Sequence, residues 1–511
     1  MANRTKRRAP RNEYTSPNQL SITGFETPFH NQLDPNNRWV LLSAQIPWDD
    51  LVGLYNKHHP AKQTGRPSLN PRVLIGAVII KHILNLDDRE TVAQITENMY
   101  LQYFLGYSSY IREAPFDASL FVDIRKRLGG ELIAEMNGRI HGFSMERRTK
   151  KIEKGSKDKD GAGGSPPNNK GEVLYDATVC PQDIAYPTDL GLLNKAREIT
   201  EAIIDELHRK ARQGKKPRTY RRVARKNYLK VAQNKNPSKK TIRKGIKSQL
   251  QYLCRNFKTI EKQLDNFDVF PLDHRTQRSY WIIGTLYEQQ LWMFEHRSHQ
   301  VADRIVSIHQ PHVRPIVRGK ARARTEFGAK IHLTLVDGYS FLDTVSWDAF
   351  NEGSCLTDYV EGYRERLGFY PAKVLADKIY CNQENRKWLK EKGIKLAAKP
   401  LGRPPARAVE NHVSPGERNP IEGKFGQAKN GYGMNRIRAR LKDTSQSWIA
   451  SIILVLNLVK LAGEALLCQC FSARGISKYD LFQWLDIFLA NFITKNQYRP
   501  QPVLVLHNLN G

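Results

Sequence analysis

The sequence predicts a mixed α/β fold in which a basic helical insertion interrupts a sheet domain and an all-α N-terminal domain precedes it. Three observations lead to this prediction. Apolar residues follow a helical period over residues 39–141, and from Glu172 the pattern changes to the alternation of β-strands. Between the first strand and the later ones, residues 209–262 contain 20 Lys or Arg and a single acid, Glu261. Strands and helices on both sides of this block are typical of an α/β domain with an insertion.

The N-terminal part divides into an arm, a helical domain and a linker. Residues 1–37 are polar and rich in Pro and Asn, so we expect a basic, disordered arm. Residues 38–150 form the predicted helical domain, where "PRVLIGAVIIKHIL" places Pro71 at a helix start. Residues 151–171, with the run "GSKDKDGAGGSPPNNKG", are the predicted linker.

The predicted sheet domain covers residues 172–208 and 264–470, with the insertion at 209–263 and a C-terminal extension at 471–511. "EVLYDATV" alternates and is rich in β-branched residues, so it predicts a strand. Residues 330–347 predict a hairpin that turns at Asp337 and Gly338. "YPAKVLADKIY" predicts a short buried strand ending at Asp377, and "NQENRKWLKEKG" and "IKLAAKP" predict a helix and a further strand.

The most apolar stretch begins at Trp448 and reads "WIASIILVLNLVKLAGEALL". Asn457 and Lys460 interrupt it, which favours a buried helix over a membrane span. The basic N-terminus lacks the apolar core of a signal peptide. Cys468 and Cys470 have the wrong spacing for a zinc knuckle, so the six cysteines are expected to be free thiols in a reducing cytosol.

The charge balance points to a polyanionic partner. Lys and Arg exceed Asp and Glu by 30, and the isoelectric point is about 9.8. Such an excess favours binding to phosphate groups through counterion release. Nucleic acid is the first candidate, a membrane surface the second, and a solvated surface the third. Within the insertion, the residues expected to contact nucleic acid are Arg221, Arg222 and Arg225.

Three acids are the candidate catalytic and metal-binding residues: Asp176 in the middle of a predicted strand, Asp377 at the end of another, and Glu422 at a helix start. A carboxylate within an apolar strand is costly unless it is paired or binds a metal. Carboxylates that leave coordination sites for water and phosphate are typical of Mg²⁺ sites. Two such ions can activate water and stabilise the leaving oxygen at phosphorus.

Each acid has an alternative. Asp183 and Asp189 compete with Asp176, although Asp183 is expected in a loop after the strand and Asp189 at a helix N-terminus. Three other acids compete with Asp377, namely Asp337, Asp343 and Asp348. Glu422 has a structural alternative, because Asn419 as N-cap, Pro420 at N1 and Glu422 at N3 would form a capping box.

With these motifs the sequence resembles a DDE transposase of the bacterial insertion-sequence type, over residues 38–462. The resemblance rests on the N-terminal helical region 68–128 and on "YDATVCPQDIAYPTDLGLLN", "ADKIYCNQENRKWLKEKGI" and "RNPIEGKFGQAK". Arg418, Glu422 and Lys429 match the family spacing of Arg, three residues, Glu, six residues, Lys. Where the family often has a tyrosine three residues before the arginine, this chain has Pro415.

The resemblance implies an RNase H-like catalytic core and DNA strand cleavage and transfer by two-metal-ion catalysis. Asp176, Asp377 and Glu422 would hold Mg²⁺, with Mn²⁺ as an alternative. The substrates would be the terminal inverted repeats of the element and target DNA. A homodimer on DNA, a cytoplasmic and nucleoid-associated location and no membrane partner are expected. The N-terminal helical domain would bind DNA or mediate dimerisation, and its basic residues available for phosphates include Arg66, Arg72, Lys81, Arg125, Lys126 and Arg127.

In a protein of this family, the residues near Glu422 expected to contact DNA phosphates are Arg418, Lys429, Arg436 and Arg438. Residues seven apart on a helix differ by about 20° in azimuth, so Glu422 and Lys429 should share a face. Arg418 precedes Pro420 and should lie at the start of that helix. Arg436, Arg438 and Arg440 alternate as on an extended segment.

Three other functions stay open. They are a decayed transposase that binds DNA without catalysis, an RNase H-like nuclease acting on RNA, and a protein that binds a membrane surface through the basic block.

Overall fold

The N-terminal part of the protein is helical. The computed structural model describes residues 14–17, 27–60, 68–155, 169–211, 214–317, 325–397 and 415–473. From residue 27 to residue 155 its regular elements are eight helices: α1 (Pro28–Gln32), α2 (Arg38–Gln45), α3 (Trp48–His58), α4 (Pro71–Ile83), α5 (Asp88–Glu97), α6 (Met99–Phe104), α7 (Leu120–Leu128) and α8 (Gly130–Gly155).

Local sequence explains where these helices begin and end. Asn70 accepts a hydrogen bond from the backbone of Arg72 at the start of α4, with Pro71 in the first turn, as predicted. Asp87 caps α5 in the same way. Between α7 and α8, Gly129 has φ +51°, a conformation that favours glycine.

Parts of the predicted arm, linker and extension fall outside the described residues. Helix α1 lies within the predicted arm, most of which is not described. Helix α8 continues to Gly155, so residues 151–155 of the predicted linker are helical; the glycine-rich run that favours a linker begins only there. Of residues 471–511, only 471–473 are described, as the end of the last helix. The division into domains stays a prediction.

A mixed six-stranded sheet forms the centre of the second half. Its strands are β1 (Glu172–Pro181), β2 (Arg314–Val317), β3 (Thr325–Val336), β4 (Tyr339–Ser346), β5 (Lys373–Leu375) and β6 (Lys395–Ala397). The order is β4–β3–β1–β5–β6, with β2 on the same edge of β3 as β4. Strand β3 is antiparallel to both β4 and β1, whereas β5 is parallel to both β1 and β6.

The predicted strands and hairpin are confirmed. Strands β3 and β4 turn at Asp337 and Gly338, with φ values of +52° and +82°. Positive φ at both central residues matches a tight hairpin turn whose twist suits the flanking strands. The predicted helix after Asp377 is α14 (Gln383–Glu391), and α13 (Leu356–Leu367) connects β4 to β5.

A bundle of four helices separates β1 from β2. We call α9 (Asp189–Ala211), α10 (Arg221–Ala232), α11 (Lys239–Leu264) and α12 (His274–Glu295) the basic bundle. Apolar residues of α9, α11 and α12 form a core of their own, which includes Leu193, Leu253, Ile283 and Leu286. The helical segment is therefore longer than the predicted insertion, 209–263. A boundary based on basic residues misses α12, which has two Arg and two Glu.

The last two helices complete the fold. They are α15 (Asn419–Gly431) and α16 (Lys442–Ala473). By length and composition, one of the described helices could cross a membrane, at Lys442–Ala465, but 78% of its most apolar window is buried inside the protein. This agrees with the predicted buried helix. Residues of α16, the sheet and the N-terminal helices belong to one continuous hydrophobic core.

Asn457 in the middle of α16 ties three elements together. Its Nδ2 donates to Asn137 Oδ1 of α8 at 2.9 Å and to the Ser340 carbonyl of β4 at 2.8 Å. Its Oδ1 accepts from the Ser340 backbone N–H at 2.8 Å. Asn457 is fully buried, so these bonds replace water for every polar atom involved.

We expect Asn457→Ala to lower the free energy of unfolding by about 2–4 kcal/mol, because it leaves the buried backbone N–H and carbonyl of Ser340 without this hydrogen-bond partner. Urea denaturation of the full chain measures this. Asn435→Ala makes the same chemical change at an exposed position and should stay within about 0.5 kcal/mol of wild type. Equal effects of the two substitutions would contradict the assignment.

Candidate active site

Asp176 lies at the centre of the sheet. It faces Leu333 across the β1–β3 pair, and 18% of its side chain is exposed. Its Oδ1 accepts the backbone N–H of Ala177 at 2.8 Å. Burial raises the pKa of Asp176; the nearby charges of Glu352 and Asp377 act in the same direction, and the Ala177 N–H and Arg418 oppose them. A partly buried acid with a raised pKa is a typical feature of functional sites.

Asp377 is brought beside Asp176 by strand register. The parallel strands β1 and β5 pair Leu174 with Leu375, so each aspartate follows its paired leucine by two residues. Asp377 also caps a short 3₁₀ turn (Lys378–Tyr380) by accepting the Lys378 N–H at 2.7 Å. Its side chain is 56% exposed. One carboxylate is therefore set in the sheet and the other opens to solvent.

Arg418 joins the two carboxylates. Its Nη2 lies 3.3 Å from Asp176 Oδ2, and its Nη1 lies 3.2 Å from Asp377 Oδ1. The arginine is the N-cap residue of α15, as expected for a position before Pro420. A single guanidinium between two acids marks a place where positive charge is stabilised. Asp176, Asp377 and Arg418 thus form one cluster, built from β1, the end of β5 and the start of α15.

Glu422 does not join this cluster. It lies on the first turns of α15 and is exposed. Within the described ranges, no three His, Cys, Asp or Glu side chains come together as a metal site. The capping-box alternative for Glu422 is wrong, because Asn419 is already helical and Arg418, the N-cap, makes no side-chain capping bond. A 3₁₀ turn leads directly into α15 and leaves no extended N-cap residue.

Lys429 anchors α15 to the central strand. Its Nζ donates to Thr178 Oγ1 at 2.7 Å, and Thr178 follows Asp176 by two residues on the same side of β1. Because Glu422 precedes Lys429 by seven residues on one helix, both lie on the same side of α15. In this arrangement the Lys429 ammonium group contacts Thr178 of the protein, whereas the sequence predicted that it would contact a DNA phosphate.

Sequence reasoning missed Glu352 and Lys330. Glu352 Oε1 lies 2.7 Å from Lys330 Nζ, both side chains are largely buried, and the charge of Glu352 contributes to the raised pKa of Asp176. Tyr380 is buried beside them; burial raises its pKa, and the charges of Glu352 and Asp176 add to this effect. Only the tertiary fold brings residue 352, which follows the hairpin, to this position.

The competing acids have other roles. Asp183 forms an ion pair with Arg436 at 3.0 Å. Asp189 is the first residue of α9 and accepts a hydrogen bond from Gln290. The Asp343 side chain is 6% exposed and accepts from Thr334, with His332 and Arg366 at 2.8 Å from its oxygens. Asp337 occupies the hairpin turn, and Asp348 lies 3.8 Å from Arg314.

The predicted DNA-contacting residues fall into two groups. Arg222 and Arg225 on α10 are exposed, as are Arg436 and Arg438 after α15. The alternation over 436–440 is confirmed, since Ile437 and Ala439 are buried between the exposed arginines. Arg221 instead donates twice to Asp205 of α9, at 2.9 and 2.8 Å.

Three basic residues of the N-terminal helices are not available for phosphates, which corrects the expectation. Arg72, Lys81 and Arg125 are each at most 6% exposed. Lys81 and Arg125 both pair with Asp88, and Lys81 lies 4.7 Å from the ring of Trp448 on α16. These cations hold the N-terminal helices to the core. Lys126 and Arg127 are exposed, and Arg66 is outside the described residues.

Comparison with known proteins identifies the class. The family described as "Transposase DDE domain" matches residues 374–459, and the family described as "Transposase domain (DUF772)" matches residues 27–127. The first match includes Asp377, Arg418, Glu422 and Lys429, whereas Asp176 lies outside both. A Rhizobium meliloti protein named "Uncharacterized protein ORF8 in nfe locus" is 30% identical over 184 residues, 35% of this chain and 79% of the relative. No solved structure is significantly similar.

Both matched families are transposase domains, and the matched regions contain two of the three candidate acids with the predicted Arg–Glu–Lys spacing. The protein is therefore a transposase. More particularly, the chain belongs to the DDE transposases of the bacterial insertion-sequence type.

We expect Arg418→Gln to lower the free energy of unfolding by about 1 kcal/mol at pH 7, because it removes the cation that stabilises the ionised Asp176. The effect should shrink at acidic pH, where the Asp176 carboxyl is protonated and needs no cation. Urea denaturation at both pH values measures it. Arg436→Gln, which breaks the exposed pair with Asp183, is the control and should change stability little. An Arg418→Gln effect independent of pH would contradict the assignment.

Proposed function

We propose that this transposase cuts phosphodiester bonds at the terminal inverted repeats of an insertion sequence and joins the resulting 3′-OH ends to target DNA. The observation that carries the proposal is the pair Asp176 and Asp377, set in register on neighbouring strands around a single cationic group. The basic composition of the chain supports a polyanionic substrate.

The sheet supports an RNase H-like catalytic core. Three antiparallel strands, β4, β3 and β1, adjoin two parallel ones, β5 and β6, and β1 stands at the centre of the order. The first candidate acid lies on β1 and the second just after its parallel neighbour β5. This placement agrees with the family resemblance of the sequence motifs. In this proposal the basic bundle is an insertion between β1 and the remaining strands.

The donor set suits Mg²⁺, or Mn²⁺ in its place. Two carboxylates lie side by side, one of them half exposed, and the Arg418 guanidinium already shows that positive charge is stabilised between them. Hard divalent cations prefer a few carboxylate oxygens and leave sites for water and phosphate. Asp176 and Asp377 would hold the ion. When bound, it would supply Lewis-acid activation of the scissile phosphate.

We assign Glu422 as the third acid. Its position on the same side of α15 as Lys429, which contacts β1 beside Asp176, supports this role. Arg418 would then leave the two aspartates as the cation enters and would contact a DNA phosphate instead. Lys429 would keep α15 in register with β1. Glu352, held by Lys330, is the alternative third acid.

The reaction has two displacements at phosphorus. Water attacks the phosphodiester at the element end; a bond forms between its oxygen and phosphorus, the bond to the 3′ oxygen breaks, and that oxygen takes up a proton. The freed 3′-OH then attacks a target phosphodiester and loses its proton as its oxygen bonds to phosphorus. The bond from that phosphorus to the 3′ oxygen of the target strand breaks, and the leaving oxygen takes up a proton to become a new 3′-OH. Because two element ends must reach one target, we propose a homodimer on DNA. Its location would be the cytoplasm, at the nucleoid.

The decisive experiment compares cleavage and strand transfer by wild type and Asp377→Asn. The substrate is labelled duplex carrying the inverted repeats that flank the gene, with Mg²⁺ or Mn²⁺. We expect metal-dependent nicking at the repeat boundary, reduced at least about 100-fold in the variant while DNA binding persists. Asp183→Asn, a nearby exposed acid, is the matched control and should retain activity.

The same assay decides the third acid. Glu422→Gln should lose cleavage as Asp377→Asn does, and Glu352→Gln should retain most of it; the opposite pattern would assign Glu352. Thermal unfolding of each variant separates loss of chemistry from loss of fold. Binding without cleavage by the wild type would favour the non-catalytic DNA-binding protein. Cleavage of structured RNA in preference to the repeats would favour the nuclease.

We expect the double variant Arg222→Ala/Arg225→Ala to weaken DNA binding and to flatten its salt dependence. Each lost phosphate contact removes about 0.9 from the slope of log K against log salt, so the pair should remove about two units. Fluorescence anisotropy across a salt series measures the slope. Arg364→Ala on α13, an exposed arginine outside the basic bundle, is the control. An unchanged slope would exclude α10 from the DNA interface.

A further inference from the structure

Helix α12 of the basic bundle presents an unusual stripe of exposed residues. Trp281 is 62% exposed and Trp292 is 44% exposed, although both lie on a helix whose other apolar residues are packed. Exposed tryptophans on one face are typical of a surface that a partner covers. The exposed positions include His274, Arg278, Trp281, Thr285, Glu288, Trp292 and Glu295.

The spacing of this stripe matches a helix partner. Successive members are separated by four and three residues in alternation, an average of 3.5. This is the repeat that keeps one face of a helix against a second helix over several turns. The inward face of α12 is already packed on α9 and α11, so the stripe is a second, outward seam.

The stripe is also symmetric about its own centre, between Leu286 and Tyr287. Thr285 and Glu288 are equally distant from this point, and so are Trp281 and Trp292. Arg278 and Glu295 are likewise equidistant, and they carry opposite charges. A sequence with this symmetry complements a copy of itself in the antiparallel direction, as a two-fold interface requires.

Charge distinguishes this face from the rest of the bundle. Helix α10 has five Lys or Arg and no acid, and α11 has eight with one acid, whereas α12 has two Arg and two Glu. A polyanion would be attracted to α10 and α11. Neither Arg278 nor Glu295 has an ion-pair partner within the part of the chain that the structure describes, so both charges remain available to a second copy.

We propose that α12 pairs antiparallel with α12 of a second copy of this chain. Arg278 then faces Glu295 of the second copy, and Trp281 faces Trp292. From residue 278 to 295 the helix spans about 26 Å. One helix pair of this length buries less than the roughly 800 Å² per partner of a stable free dimer, so the pairing is weak alone. It strengthens where two copies share one DNA, a step that rests on the proposed function.

The test uses the full chain without DNA, so failure of the transposase assay leaves it unaffected. Sedimentation velocity is measured across protein concentration and salt. Dimerisation should increase with salt, because screening reduces repulsion between two strongly basic chains. Arg278→Glu and Glu295→Arg should each weaken dimerisation about tenfold, since each places like charges together twice per dimer. The double variant should restore it to within about threefold.

Arg275→Glu is the control: it reverses an exposed charge on the same helix outside the stripe and should change nothing. A second measurement fixes the direction. Differently tagged Arg278→Cys and Glu295→Cys chains should form a mixed disulfide under mild oxidation, whereas Arg278→Cys alone should not exceed the wild-type background.

Three results would overturn the proposal. The first is a wild type that stays monomeric in every condition, and the second is a double charge swap no better than either single variant. The third is that Trp281→Ala and Trp292→Ala weaken DNA binding per chain without changing dimerisation. That last result would assign the aromatic stripe to nucleic acid.

Discussion

Helix α16 is the element on which the other parts of the fold are assembled, and its few polar residues determine how it sits. Asn457 bonds to both α8 and the edge strand β4, so the helix cannot slide or rotate without breaking buried hydrogen bonds. Two helical turns further along α16, Glu464 accepts hydrogen bonds from Ser144 of α8 and Tyr339 of β4. Burial alone would raise the pKa of Glu464, but the Ser144 hydrogen bond and the nearby Lys460 and Arg148 hold that pKa below its usual value. The N-terminal helices and the sheet thus share one polar frame inside one apolar core.

The position of the candidate active site follows from this frame. Packing of α16 on β4 supports the hairpin with β3, and β3 pairs with β1 along nine residue pairs. Strand β1 then places Asp176, while its short parallel pairing with β5 places Asp377 in register beside it. Lys429 and Arg418 hold α15 across the same strand. Each side chain of the cluster comes from a different element, so its geometry depends on the whole sheet.

Much of the fold could be predicted because local sequence decides it. Asn70 with Pro71, and Asp337 with Gly338, act through backbone preferences within a few residues. The alternating strands and the buried α16 follow from apolar periodicity. By contrast, nothing local to Glu352 predicts its position near Asp176, and Arg72, Lys81 and Arg125 resemble surface residues in sequence although they are buried. The partners of these residues are distant in the chain, and only tertiary packing reveals them. Glu422 is a candidate on motif spacing alone, because the structure does not bring it to the two aspartates.

The distribution of charge explains how one chain can hold acids in a strongly basic protein. Asp176 is tolerated in the sheet because Arg418 compensates its charge. Among the described residues, α10 and α11 carry a large basic excess. A polyanion bound there lowers the repulsion that the excess creates, since its phosphates replace the missing counter-charges. The same argument makes α12 distinctive, because this helix has two Arg and two Glu. Because α10 and α11 would repel a second copy of the chain, a helix with balanced charges and exposed aromatic rings is the part of the bundle best suited to contact one.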